Sequence, residues 1–116
     1  MNEISVLYFD GCPSWQVALQ NVQKVIETDK IPAEIRLIKI ESPEQAQQER
    51  FLGSPSFRVN GTDLWPEERE HYTLSCRVYQ TPDGLKGSPT IEMLREQLRE
   101  LHLEFEFRQK VVRPSP

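Results

Sequence analysis

Two cysteines, Cys12 and Cys76, and two histidines, His71 and His102, are the side chains in this sequence best suited to nucleophilic or metal chemistry. Structural zinc usually takes four Cys or His ligands. Only His71 and Cys76 lie close in sequence, so no metal site is expected and both histidines read as surface residues. Glu67, Glu68 and Glu70 form a charged run that reads as a solvated face rather than an acid–base pair. Neither a GxxxxGK[ST] phosphate loop nor a GxGxxG turn is present, so no nucleotide or other cofactor is expected. Cys76 reads as a small buried hydrophobe, the ordinary role of a free cysteine. Cys12 differs because of its position.

Cys12 falls between an apolar run, ISVLYF over residues 4–9, and an amphipathic segment that opens at Pro13. Its sulfur is therefore expected at a helix N-terminus, beside backbone N–H groups with no partner inside the helix. Such groups favour an anion, so the thiol should titrate below the ordinary value of about 8.5 and be nucleophilic at neutral pH. Asp10, two residues earlier, works against a second negative charge. Trp15, one turn into the helix, reads as a substrate platform or as a cap over the helix, and Trp65 is a further aromatic that would cover the site if its segment reached it.

The elements that must hold Cys12 follow from periodicity. The nearly unbroken apolar run over 4–9 suits a central strand covered on both faces. Asp10-Gly11 turns the chain, and Trp15, Ala18, Leu19, Val22, Val25 and Ile26 make one helical stripe that ends at Asp29, Lys30 and Pro32. A second strand over 35–40 completes a βαβ unit with a parallel sheet. Ser42-Pro43-Glu44-Gln45 is a helix start with a cap, a first-turn proline and a capping box. That helix is expected to run through Leu52 and stop at Gly53. Phe57 and Val59 alternate with Ser56 and Arg58 as in a strand, and Asn60-Gly61 is a hairpin turn. Residues 62–75 carry no clean period and read as an insertion before a fourth strand, CRVY over 76–79. A turn over 81–84 leads to a last helix opened by Ser88-Pro89, with Ile91, Leu94, Leu98 and Leu101 as its apolar face. In the extension over 102–116, Leu103, Phe105 and Phe107 alternate with Glu104 and Glu106, which suits an extra strand before a mobile end better than the alternative, a frayed helical extension with two exposed aromatics.

The order β-α-β-α-β-β-α defines a single α/β domain over residues 1–116, a mixed four-stranded sheet with helices on both faces. Composition agrees: 37% hydrophobic and 28% charged residues supply a modest core. A formal net charge of −4 without a run of Lys or Arg argues against a nucleic-acid partner. Apolar stretches of only a few residues argue against a membrane span, and the short start MNEISVLYFD does not read as a signal peptide. A cytoplasmic location is therefore expected, where both cysteines would by default be free thiols. The alternating tail could add a strand to a sheet edge, its own or a second copy's, which leaves a homodimer open.

The stretches YFDGCPSW, GSPSFRVNG and DGLKG, with the helix behind the first, resemble the thioredoxin-like superfamily over about residues 4–61 and 76–101. SPSFRVNG and CRVY are also similar to stretches of small uncharacterised thioredoxin-like proteins, some described as related to alkylmercury lyase. The resemblance implies that Cys12 is the nucleophilic cysteine, that Pro13 and Trp15 beside it contact substrate, and that Pro55, acting with Cys12 in catalysis, is a cis-proline opening the third strand beside it. It further implies that backbone at that proline, including Ser54, pairs with bound substrate. The motif departs from CxxC: Cys12-Pro13-Ser14-Trp15 has Trp15 at the second cysteine's place. Cys12 alone can make only a mixed disulfide that another thiol must resolve. The expected function is that of a monothiol oxidoreductase or thiol-transfer protein acting on a protein or small-molecule thiol or disulfide, with Cys76 a candidate resolving or second thiol. The alternatives are a soft-metal or organomercurial-binding protein using Cys12, with or without Cys76, and a non-catalytic binding module of the same fold.

Overall fold

The structure, a computed structural model, describes the backbone of residues 2–112 and the side chains of residues 2–101. Strand β1 (Asn2–Tyr8) lies at the centre, because its apolar side chains must be buried on both faces. Ile4 and Val6 point into one core and Leu7 into another. Helix α1 (Ser14–Thr28) presents Ala18, Val22 and Val25 to the first core at steps of four and three, with Leu19 and Ile26 partly buried beside them. Strand β2 (Ala33–Lys39) then runs parallel to β1, in register from Asn2 opposite Ala33 to Tyr8 opposite Lys39.

Helix α2 (Pro43–Glu49) starts as its residues dictate: the Ser42 hydroxyl accepts from Gln45 N at 3.1 Å, and Pro43 sits in the first turn. Gln45 Oε1 closes the cap on Glu41 N, at 2.9 Å. The helix stops three residues before the expected Leu52. Arg50 takes the left-handed conformation at φ 53°, Arg50 N donates to Gln47 O and Phe51 N to Ala46 O. That double bond is a Schellman ending, and it swings Phe51 back onto Ala46 in the second core.

Strand β3 (Ser56–Val59) pairs antiparallel with β1, from Ile4 opposite Val59 to Leu7 opposite Ser56. Asn60 and Gly61 both have positive φ, 51° and 93°, as a two-residue hairpin turn requires. The chain returns at once as β4 (Thr62–Asp63), with Asp63 opposite Arg58. The sheet is thus mixed and four-stranded, in the order β2-β1-β3-β4, with α1 on the first core and α2 on the second.

Its fourth strand is not the CRVY stretch. The hairpin delivers Thr62 and Asp63 to the open edge of β3, so the position is filled before residue 76 is reached. Cys76 instead makes a single parallel bridge to Ser54, and Tyr79 opens a separate ribbon of β5 (Tyr79–Thr81) and β6 (Gly84–Lys86).

The last helix, α3 (Ile91–Val112), starts two residues later than expected, its cap moved from Ser88 to Thr90. Thr90 Oγ1, not Ser88, accepts from the helix, from Met93 N at 3.1 Å. Leu94 and Leu98 pack into the first core with α1. The helix continues through Leu103, Phe105 and Phe107, so the expected extra strand is not formed. No glycine or proline interrupts residues 91–112, and helix formers such as Glu, Leu, Arg, Gln and Lys dominate, so propensity overrides a short apolar alternation. The strand-addition route to a homodimer goes with it. Of the expected mobile end, VVRPSP over 111–116, Val111 and Val112 belong to α3, while residues 113–116 and the side chain of His102 lie outside the described residues. Among the described residues, no helix is long and apolar enough to cross a membrane.

Candidate functional site

β1 ends at Tyr8, and Phe9 O accepts from Cys12 N at 3.0 Å, closing a tight turn that sets Cys12 immediately ahead of α1. Pro13 is the cap residue, one position earlier than the helix-opening role expected for it, and α1 carries no side-chain cap bond and no acidic residue in its first turn. Cys12 is buried, only 2% exposed. Asp10, the charge expected to oppose a thiolate, is paired with Lys39 at 2.7 Å. Asp10's hydrogen bond and charge in turn hold the Lys39 ammonium above its ordinary pKa.

Cys12 and Cys76 are joined by a disulfide across 64 residues of chain, with their Cα atoms 5.8 Å apart. The expected free thiols are therefore replaced by an oxidised pair: neither cysteine is free. The disulfide brings Cys76, the candidate resolving or second thiol, to Cys12. Cys76 is not a buried hydrophobe but an exposed residue at the rim of the site.

Three neighbouring residues hold Cys76 in place. Ser54 N donates to Ser75 O at 2.8 Å, and Arg77 N donates to Ser54 O at 3.0 Å, which clamps Cys76 between them. The Ser54 hydroxyl faces the other wall and accepts from Phe9 N at 3.0 Å, so one buried residue ties both cysteine segments together. The Ser54 peptide groups, which the family resemblance assigns to substrate, are occupied by the chain's own residues 75–77. Gly53 makes this approach sterically feasible. It has φ 114°, and a Cβ there would stand 2.9 Å from the Arg77 backbone nitrogen. The Ser54–Pro55 bond is cis, as the resemblance implies, and Pro55 is fully buried with its carbonyl accepting from the Tyr79 hydroxyl.

Arg77 anchors the segment from inside. Its guanidinium bonds both carboxylate oxygens of Asp63, at 3.2 and 3.0 Å, the Ser56 hydroxyl at 3.2 Å and the Trp65 carbonyl at 2.6 Å. The side chains of the Arg77–Asp63 pair are 5% and 10% exposed, so this is a buried ion pair. The guanidinium also lies 5.1 Å from the Tyr79 ring centroid. Burial pushes the Tyr79 phenol well above its ordinary pKa, against the opposing pull of Arg77. The Trp65 ring packs edge-on to Tyr79 and Phe57. Trp15 stacks on Tyr8, ring centroids 4.2 Å apart, beside the turn that carries Cys12.

Among solved structures, a crystal structure of a Bordetella parapertussis protein superposes with a TM-score of 0.51 at 21% identity, over 85% of this chain and 95% of that one. The likeness is one of fold. No family model matches the chain, and no curated protein matches it.

Asp63, Arg77, Tyr79 and Gly53 belong to the site's framework and escape sequence reading. Two signals could have found Asp63, Arg77 and Tyr79. Asn60-Gly61 implies a return strand, which places Asp63 beside β3. In CRVYQT, Arg77, Tyr79 and Thr81 occupy the alternate positions that are buried, so an arginine on that inward face calls for a buried carboxylate.

Proposed function

We propose that this chain is a thioredoxin-like thiol–disulfide oxidoreductase whose working couple is Cys12 and Cys76. The observation that carries the reading is the disulfide between them, set at the junction of β1 and α1 and against the Ser54–Pro55 corner. The sheet order β2-β1-β3-β4, with β2 parallel and β3 antiparallel to β1, supports the fold assignment, as does a cysteine opening α1. In a cytoplasmic compartment, where we place the chain, a disulfide is usually transient and catalytic or redox-sensing rather than structural. Cys76 supplies from a distant segment the second thiol that CPSW lacks.

In the reaction, the dithiol reduces a substrate disulfide RSSR to two RSH and becomes the Cys12–Cys76 disulfide. Two equivalents of an outside thiol, or one dithiol, return it to the reduced state. α1 stabilises the Cys12 thiolate through its unpaired N–H groups, with no acidic residue in the first turn to oppose it. The substrate is a protein or small-molecule disulfide.

The test is steady-state reduction of a small disulfide by the full chain, with dithiothreitol as the outside reductant. The wild type should turn over, and Cys12→Ser and Cys76→Ser should each lose turnover. Undiminished turnover in either variant, or none in the wild type, contradicts the proposal. The same pair of sulfurs also favours a second reading, linear two-thiolate capture of a soft metal ion or organomercurial. That reading predicts stoichiometric mercuric binding by the reduced chain without disulfide turnover.

A further inference from the structure

We infer that Cys76, not the helix-start Cys12, is the sulfur that meets the substrate, and that Cys12 is the interior thiolate that leaves or resolves. This rests on the couple proposed above and assigns its two halves. Cys76 is exposed while Cys12 is 2% exposed. Along the segment that follows, Val78 and Gln80 face outward with Cys76, while Arg77, Tyr79 and Thr81 face inward; Val78 is 58% exposed.

Thiol–disulfide exchange is a displacement along the S–S axis, with attacking, central and leaving sulfurs in line. Attack on Cys76 Sγ comes from solvent and drives the electron pair inward onto Cys12 Sγ. Attack on Cys12 Sγ would have to come from the protein side of a buried residue. Leaving-group quality points the same way, because the thiol of lower pKa leaves faster and the one at the helix start is better stabilised as an anion.

With an outside thiolate RS⁻, Cys76 forms RS–S–Cys76 as the Cys12–Cys76 bond breaks and Cys12 becomes the thiolate. A second RS⁻ attacks the sulfur of R, giving RSSR and the Cys76 thiolate. In the reducing direction, the Cys76 thiolate attacks RSSR and expels RS⁻. The Cys12 thiolate then attacks Cys76 Sγ, closes the internal disulfide and expels the second RS⁻. Both steps conserve sulfur bonds and charge.

The test is pulse labelling of the reduced wild-type chain with substoichiometric N-ethylmaleimide at about pH 10, above the ordinary thiol pKa of about 8.5, so that access decides the order. Peptide mapping should find the first label on Cys76, about tenfold over Cys12. In parallel, Cys12→Ser should trap a stable mixed disulfide at Cys76 with an aromatic disulfide, and Cys76→Ser should react about tenfold more slowly at Cys12. First labelling at Cys12, or equal labelling, overturns the assignment. Wild-type turnover is read separately, so loss of the couple and reversal of its roles give different results.

Discussion

The two sulfurs of the disulfide are delivered by walls of different construction. Cys12 is held by local structure: a strand, a four-residue turn and a helix contiguous in sequence, closed by Cys12 N on Phe9 O. Cys76 is held by contacts that span the chain, namely Ser54 on both sides of it and the Arg77 guanidinium on Asp63, Ser56 and Trp65. The first wall would survive most point changes outside its own hydrophobic stripe. The second depends on a few buried polar groups, each of which is costly to leave unpaired.

Breaking the ion pair should separate the walls most sharply. Asp63→Ala leaves the Arg77 guanidinium buried without its carboxylate, and unfolding in urea should show a loss of about 3–5 kcal/mol. The reduced variant should also re-form the Cys12–Cys76 disulfide more slowly than wild type. Gly53→Ala, next in size, places a Cβ against the Arg77 backbone at a positive φ, at a cost of about 1–3 kcal/mol by the same measurement.

How much of each wall could be read in the sequence follows from the same contrast. The βαβ unit, the Ser42 cap and the helix-start position of Cys12 each depend on residues within a few positions of one another, and periodicity and capping chemistry reveal them. The cis bond at Pro55 came from family resemblance, since the dipeptide alone carries no such information. Cys76 was a candidate second thiol for Cys12, but whether the two meet was illegible, because 64 residues and a segment with no period separate them. The fourth strand was misplaced for a related reason. Asn60-Gly61 implied an immediate return, but Thr62 and Asp63 are too short and polar to stand out as a strand, whereas CRVY is not. The end of α2 was overrun because Arg50, not the more obvious Gly53, takes the left-handed turn that ends it. At the C-terminal end, a five-residue alternation suggested a strand that the helix-forming composition overrides.

Tyr79→Phe probes the second wall more gently. It strips the buried Pro55 carbonyl of its donor and should cost about 1–3 kcal/mol. It should also change the alkaline limb of stability. The phenol titrates higher in the folded chain than its ordinary 10.0. Its contribution is therefore complete below about pH 10 and lost as pH rises beyond that. Denaturation followed from neutral to alkaline pH should show this fall in the wild type and a shallower one in the variant.

The smallest effect belongs to the first wall. Lys39→Ala frees the exposed Asp10 carboxylate near Cys12 and should leave the unfolding midpoint little changed. Alkylation of Cys12 in the reduced chain at neutral pH should slow, because an unpaired carboxylate disfavours the thiolate.

The most direct test of the central claim is an equilibrium titration of the full chain in glutathione redox buffers at varied total glutathione, read by intact mass after acid quenching. A Cys12–Cys76 couple predicts an oxidised form that differs from the reduced one by two hydrogens, carries no glutathione at equilibrium, and varies with the square of reduced glutathione over oxidised glutathione. An oxidised form carrying one glutathione, with a fraction that follows the first power of reduced glutathione, would contradict it.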